Sequence, residues 1–266
     1  MAKNMGRASA FYGRHICLII LIILLFSSCA AKISGQLDQG GAGAFSINVG
    51  LKPRLSGLIK SLQLLEGQQN VPVINGPLIA ASFAKAPGVA SVSLKNNSPQ
   101  AIDGTIKISA ISDFLAPAGG VPLANGTNTH ANPNKLTGVA ADFIRFEQGA
   151  GGKGGRCAVY LSREMGPGML SLISPEITDY LEALMAPIAT GEALTCPEYL
   201  DAVVSIYGQG IRNEISESTI QAFIDFPGAI QSIKNGKFSG KRAEFEIPLL
   251  DLLVLEKPLI YEVVWK

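Results

Sequence analysis

Two kinds of hydrophobic spacing run along this chain. From Pro53 onward, Leu55, Leu58, Ile59, Leu62 and Leu65 recur at intervals of three and four, while Lys60, Ser61 and Gln63 fall off that line. Such a stripe predicts an amphipathic helix, with Gly67 as its stop. The same spacing returns at Ile177, Tyr180, Leu181, Leu184, Met185 and Ile188, after Ser174 and Pro175 and before Thr190 and Gly191. Thr195-Cys196-Pro197-Glu198 has the form of a capping box and opens a helix with Leu200, Val203, Val204 and Tyr207 on one face. Shorter helices are expected over residues 77–85 and over residues 218–225, the latter on Ile220, Phe223 and Ile224.

Between these stripes the period shortens to two. Residues 89–95 and 101–111 flank the turn cluster Asn96-Asn97-Ser98-Pro99 and read as a hairpin. Phe143, Ile144 and Phe146 mark a strand whose partner, residues 157–163, lies across the glycine-rich loop 149–155. Asn235-Gly236, the strongest short hairpin signal in the chain, joins residues 229–234 to residues 237–247, where Ala243, Phe245 and Ile247 alternate with Glu244 and Glu246. Residues 259–265 are apolar at nearly every position, as in a central strand covered on both sides. Residues 45–49 make a short first strand, residues 117–136 a long loop rich in Gly, Pro and Asn, and no internal repeat is present. This order predicts a single α+β domain, a mainly antiparallel sheet with amphipathic helices packed against it.

The amino terminus follows a different logic. Lys3, Arg7 and Arg14 precede an unbroken apolar run, residues 16–26, and then Ser27, Ser28 and Cys29. That is a signal-peptide pattern, and its apolar core, about 16 Å as a helix, reaches only about half the hydrocarbon thickness of a bilayer. The segment Leu25-Phe26-Ser27-Ser28-Cys29 resembles the lipobox of bacterial lipoproteins, in the relaxed form found in spirochaetes. The resemblance implies cleavage before Cys29 and acylation of its thiol and amino groups. Three divisions are expected: a signal peptide over residues 1–28, an acylated Cys29 with a flexible, small-residue tether over residues 29–44, and the α+β domain over residues 45–266. A coil of the tether's length has an end-to-end distance of roughly 20 Å.

Composition excludes more than it selects. The 22 Lys and Arg against 21 Asp and Glu leave no electrostatic footprint for nucleic acid. Cleavage removes three basic residues and no acidic one, so the mature chain sits near −2 and membrane attachment rests on acyl chains and apolar surface. Lys153 in the glycine-rich loop lacks the following Ser or Thr of a phosphate loop, which leaves a plain hairpin turn. Of two histidines, His15 leaves with the signal and His130 stands alone in a polar loop, so catalytic triads and zinc sites lack their parts. The carboxylate pairs Asp179 with Glu182 and Glu244 with Glu246 are spaced as on solvated faces. No enzymatic activity, metal or cofactor is expected. Cys157 and Cys196, the remaining thiols of an exported chain, are candidates for one disulfide, the other reading being two separate buried cysteines.

The lipobox, the size, and the closing segment from Phe245 to Trp265 resemble treponemal outer-membrane lipoproteins with an α/β/α domain. That resemblance implies helices that insert into the membrane, and a lipid-accessible cavity on the periplasmic side of the outer membrane. The expected function is therefore a lipid-anchored envelope protein that binds or transports lipids, a fatty acid or a phospholipid. Its ligand would lie in an apolar cavity lined by Leu55, Leu58, Ile59, Leu62 and Leu65 together with Ile177, Tyr180, Leu181, Leu184 and Met185. The alternative is an interaction or assembly lipoprotein that presents a rigid domain to an envelope protein.

Overall fold

A computed structural model describes residues 29–65, 71–114, 144–149, 153–165 and 190–266, together with Met185 and Pro187. Residues 1–28, expected as a signal peptide, the segment around His130, and Ile177, Tyr180, Leu181, Leu184, Asp179 and Glu182 lie outside the described residues.

The chain enters as a strand. β1 (Cys29–Leu37) and β2 (Gly43–Gly50) form an antiparallel hairpin in register from Ala31 opposite Val49 to Leu37 opposite Gly43. The expected tether over residues 29–44 is therefore corrected: these residues are two ladder strands and their turn. Ser34, Gly35 and Gln36 read as linker by composition. However, Ile33 and Leu37 face one side and Lys32 and Gln36 the other, which is the strand period. Gly35 is required here, because a Cβ at that position would meet Phe45 Cδ1 at 2.3 Å across the pair.

After β2 come α1 (Pro53–Leu65) and α2 (Gly76–Phe83), then the expected hairpin β3 (Val89–Ser98) and β4 (Ala101–Ile108), and a single turn, α3 (Ile111–Phe114). The second expected hairpin is β5 (Ile144–Gln148) with β6 (Gly155–Leu161), closed by the Gly149 N–H donating to the Gly154 carbonyl at 3.0 Å. The capping box opens α4 (Cys196–Tyr207), and α5 (Gly210–Ser216) follows.

Residues 219–225, expected as a helix, are a strand, β7 (Thr219–Asp225). Ile220, Ala222 and Ile224 point to one face and Gln221, Phe223 and Asp225 to the other, so the alternation outranks the three-four coincidence of Ile220, Phe223 and Ile224. β7 runs parallel to β1, Cys29 facing Thr219 and Gln36 facing Asp225, a pairing that closes only after about 190 residues. The remaining elements are β8 (Ile230–Lys234), β9 (Lys237–Ser239), β10 (Arg242–Pro248), α6 (Leu249–Val254) and β11 (Leu259–Trp265). The Asn235-Gly236 turn is present, Asn235 at φ +55°. It joins strands of different sheets, however: β8 pairs with β11 and β9 with β10, so the expected hairpin partner is corrected.

Two sheets result. The larger has the order β3-β4-β2-β1-β7-β10-β9 and the smaller β5-β6-β11-β8, with β11 central as expected. Among the described residues every strand ladder is antiparallel except β1 with β7. The fold is thus α+β, mainly antiparallel, with helices packed on the sheet. The outer face of the larger sheet is polar, carrying Lys32, Ser34, Gln36, Ser46, Asn48, Thr105 and Glu244, with the Lys32 ammonium 5.2 Å from the centre of the Phe223 ring.

The interior divides into two clusters. Between the sheets, Leu37, Phe226, Ile230, Ala243, Val263 and Trp265 are buried, with Phe45, Phe146 and Phe245 packed against them. At the other end, where β1 begins, Leu55, Leu58 and Ile59 of α1 meet Tyr199, Leu200 and Val203 of α4. Ile211 and Ile215 of α5 and Leu253, Val254 and Leu255 close this helical cluster.

Candidate functional site

The end of the larger sheet at which β1 starts gathers the first residue of the expected mature chain and three helix termini. Cys29 is in register with Thr219, and β7 is preceded directly by α5. Neighbouring β2 ends at Gly50 and leads into α1, whose first amides have no partner within their own helix. Glu214 of α5 supplies one: its carboxylate accepts from Arg54 N–H and Leu55 N–H, both at 2.9 Å. A negative group at the positive end of a helix is favourable in charge as well as in hydrogen bonding. Lys52 and Glu217 form an ion pair at 3.6 Å beside it. On the other side, Leu249 N–H donates to the Ser218 carbonyl at 2.8 Å and fixes the start of α6 to the start of β7. This end is therefore cross-linked by polar contacts between segments remote in sequence.

The apolar stripe of α1 faces inward. Leu55 and Leu58 are each 5% exposed and Ile59 8%, all in the helical cluster, and Met185, from the second expected stripe, is 5% exposed in the same cluster. These four are covered by protein rather than by solvent. The side chains of Leu62 and Leu65, with Ile177, Tyr180, Leu181 and Leu184, lie outside the described residues. What was legible as amphipathic spacing was legible equally as core, because a helix buried on one side carries the same pattern whether protein or lipid covers it.

A hollow lies at the opposite end, around the β1–β2 turn. It is open, with a volume of about 750 Å³, and is bordered among others by Leu37, Asp38, Lys107, Asp225, Phe226 and Lys241. Its charges are largely engaged within the protein. Asp38 accepts from Ala42 N–H at 2.9 Å, and Asp225 takes Arg242 Nε and Nη2 at 2.9 and 2.8 Å, a pairing that holds its carboxyl below the usual range. Lys241 Nζ donates to the Pro227 carbonyl at 3.0 Å. No described residue of the two expected stripes borders it.

Where α4 starts, several ionisable groups meet. Glu198 closes the capping box on Thr195 N–H at 2.8 Å, and Glu256 accepts from Cys196 N–H at 2.9 Å. These backbone hydrogen bonds, to Thr195 for Glu198 and to Cys196 for Glu256, hold both carboxyls below their ordinary range. Arg163 Nη2 donates to the Leu194 carbonyl at 2.9 Å. The Cys196 thiol sits 4.0 Å from Asp251 and is pushed up to about 11, first by burial and then by its carboxylate neighbours. Nucleophilic cysteines need a positive surrounding that favours the thiolate, and this one has the reverse. Burial alone raises Cys157 to about 11.

The expected disulfide is corrected. Both cysteines are free, Cys157 against the inter-sheet cluster and Cys196 against the helical one. Sequence separation could not reveal that two distinct cores stand between the two thiols. Lys153 is exposed at the tip of the β5–β6 hairpin, and Glu244 and Glu246 are exposed on the outer face of β10. Among the described residues no group of three His, Cys, Asp or Glu side chains converges as metal ligands do, and no helix is long and apolar enough to cross a membrane.

The element that sequence reading missed most is α6, whose run Leu249-Leu250-Asp251-Leu252-Leu253-Val254-Leu255 carries Leu253, Val254 and Leu255 into the core at 4%, 0% and 2% exposure. Pro248 before it, at the N-cap position, was the available signal.

No family model matches the chain, and no curated protein matches it. Among solved structures it is similar to the folded domain of Mycobacterium tuberculosis LppM, at 9% identity over 90% of this chain and 91% of that one, with a TM-score of 0.36. A likeness at that level carries no functional argument, and nothing in these comparisons is spirochaetal.

Proposed function

We propose that this is a lipid-anchored protein of the bacterial cell envelope that presents a rigid α+β domain to a protein partner. The observation that carries the reading is the position of Cys29. It stands at the end of a lipobox-like segment and is also the first residue of β1, a central strand of the larger sheet. Acylation there fastens the sheet to the membrane with no flexible spacer, so the domain is held in one orientation, as suits a surface displayed for docking. Burial of Leu55, Leu58, Ile59 and Met185 in the helical cluster favours this reading over a cavity for lipid chains between the helices.

Metabolic labelling of the full-length protein with radioactive palmitate tests the anchor. Label is expected on the wild type and absent from Cys29→Ser; an unlabelled wild type overturns the proposal. A Cys29→Ser protein that retains fatty acid in native mass spectrometry would return the function to lipid binding.

A further inference from the structure

Ile206 is 70% exposed and its neighbour Tyr207 39%, an apolar pair at the very end of α4. Two independent contacts place this corner at the end of the domain where β1 begins. First, Gly210, three residues past Tyr207, lies against the Arg54 guanidinium, which belongs to the first turn of α1 just after β2 ends. Second, α4 starts where α6 finishes, through Cys196 N–H on Glu256, while α6 starts at the head of β7, through Leu249 N–H on the Ser218 carbonyl. The two helices pack in one cluster, and twelve residues of α4 span about 18 Å against about 9 Å for the six of α6. The end of α4 therefore reaches back to, and beyond, the level of Thr219 and its register partner Cys29.

We propose that the Ile206–Tyr207 corner rests in the headgroup layer of the membrane that holds acylated Cys29. The inference depends on the anchoring reading above and adds the face on which the domain sits. A lipid surface is the occupant because no spacer separates the anchor from β1, so whatever projects from this end meets the bilayer before any other partner. The chemistry agrees: an aliphatic side chain next to a phenol suits the boundary between acyl chains and headgroups. Around it Lys52 pairs with Glu217 and Arg212 with Asp201, while the Arg54 guanidinium lies beside Gly210; the contact made by Ile206 itself is apolar and does not depend on salt. Gly208, at φ +81°, breaks α4 immediately after the pair and leaves both side chains at its tip.

The test uses the mature acylated protein in phosphatidylcholine vesicles, some carrying bromine near the headgroup end of one acyl chain, which quenches tryptophan on contact. Ile206→Trp is compared with Phe238→Trp, an equally tolerant exposed site (45%) on β9 at the far edge of the larger sheet. Trp265, 4% exposed between the sheets, gives the same background in both. The added emission at 206 is expected to fall by about half in brominated vesicles and to stay so in high salt, with no loss at 238. Protein that floats with the vesicles but shows equal quenching at the two positions overturns the docking face and leaves the anchor standing. Quenching at 206 that salt abolishes overturns it as well, since the contact is then ionic. Protein that does not float overturns the anchor, and the docking face with it.

Discussion

The two ends of this domain are held together by different means. The inter-sheet cluster is aromatic: Trp265 lies 5.0 Å from Phe226 and 5.6 Å from Phe146, centroid to centroid, and Phe245 meets Tyr261 edge-on at 5.5 Å. Ladder hydrogen bonds of β6, β11 and β8 fix its register, and Arg156 of β6 pairs with Glu262 of β11 at 2.9 Å on that ladder. The helical cluster is mostly aliphatic, and its helices are short, so their exposed first turns must be satisfied from elsewhere. Glu214 does this for α1, and Glu198 and Glu256 do it for α4. Both ends thus carry carboxyls held below their ordinary range, as arginine pairs at one (Asp225 with Arg242, Glu262 with Arg156) and as helix caps at the other (Glu198, Glu256).

Trp265→Ala is the strongest way to test that difference. It removes the ring that bridges both sheets and folds over Gly155, where a Cβ would meet Trp265 Cζ2 at 2.4 Å. The expected cost is about 3–5 kcal/mol, read by denaturant unfolding. Ile215→Ala, at a fully buried position of α5, is expected to cost about 3 kcal/mol. Its signature is local: hydrogen exchange should accelerate across α1, α4 and α5 while β6 and β11 keep their protection. Equal acceleration in both regions would show that the two clusters unfold as one unit. Glu214→Ala, which strips the acceptor from two amides of α1, is expected to cost about 1 kcal/mol.

Acid sharpens the comparison further. Glu198 and Glu256 have folded pKa values below the ordinary carboxylate value of about 4.3. Their contribution is therefore complete above that value and is lost as pH falls through the lower folded one. Amides in the first turn of α4 should lose exchange protection as the pH falls below about 4.3, and Glu256→Gln should remove part of that dependence. The smallest effect is a null: dithiothreitol should leave the melting temperature unchanged, because Cys157 and Cys196 are separate thiols. A drop on reduction would show that they are bonded.

Much of this molecule was written in local spacing. Leu55, Leu58 and Ile59 marked α1, Thr195 and Glu198 marked the start of α4, and Asn97 with Pro99 marked the β3–β4 turn. Each of these signals acts within a few residues, through one helical turn or one tight reversal, and so it survives in sequence without the rest of the fold. The lipobox-like segment before Cys29 is of the same kind.

The tertiary structure decided what spacing leaves open. Residues 30–37 look like linker until β7 arrives, because a strand of small and polar residues is stable only between two paired neighbours. Ile220, Phe223 and Ile224 fit a helix until the sheet claims their alternate sides. Whether an apolar stripe is core or contact surface, and whether two thiols meet, is settled by which segments pack together. That choice is made by burial and strand register between residues far apart in the chain, and no window of neighbouring residues contains it.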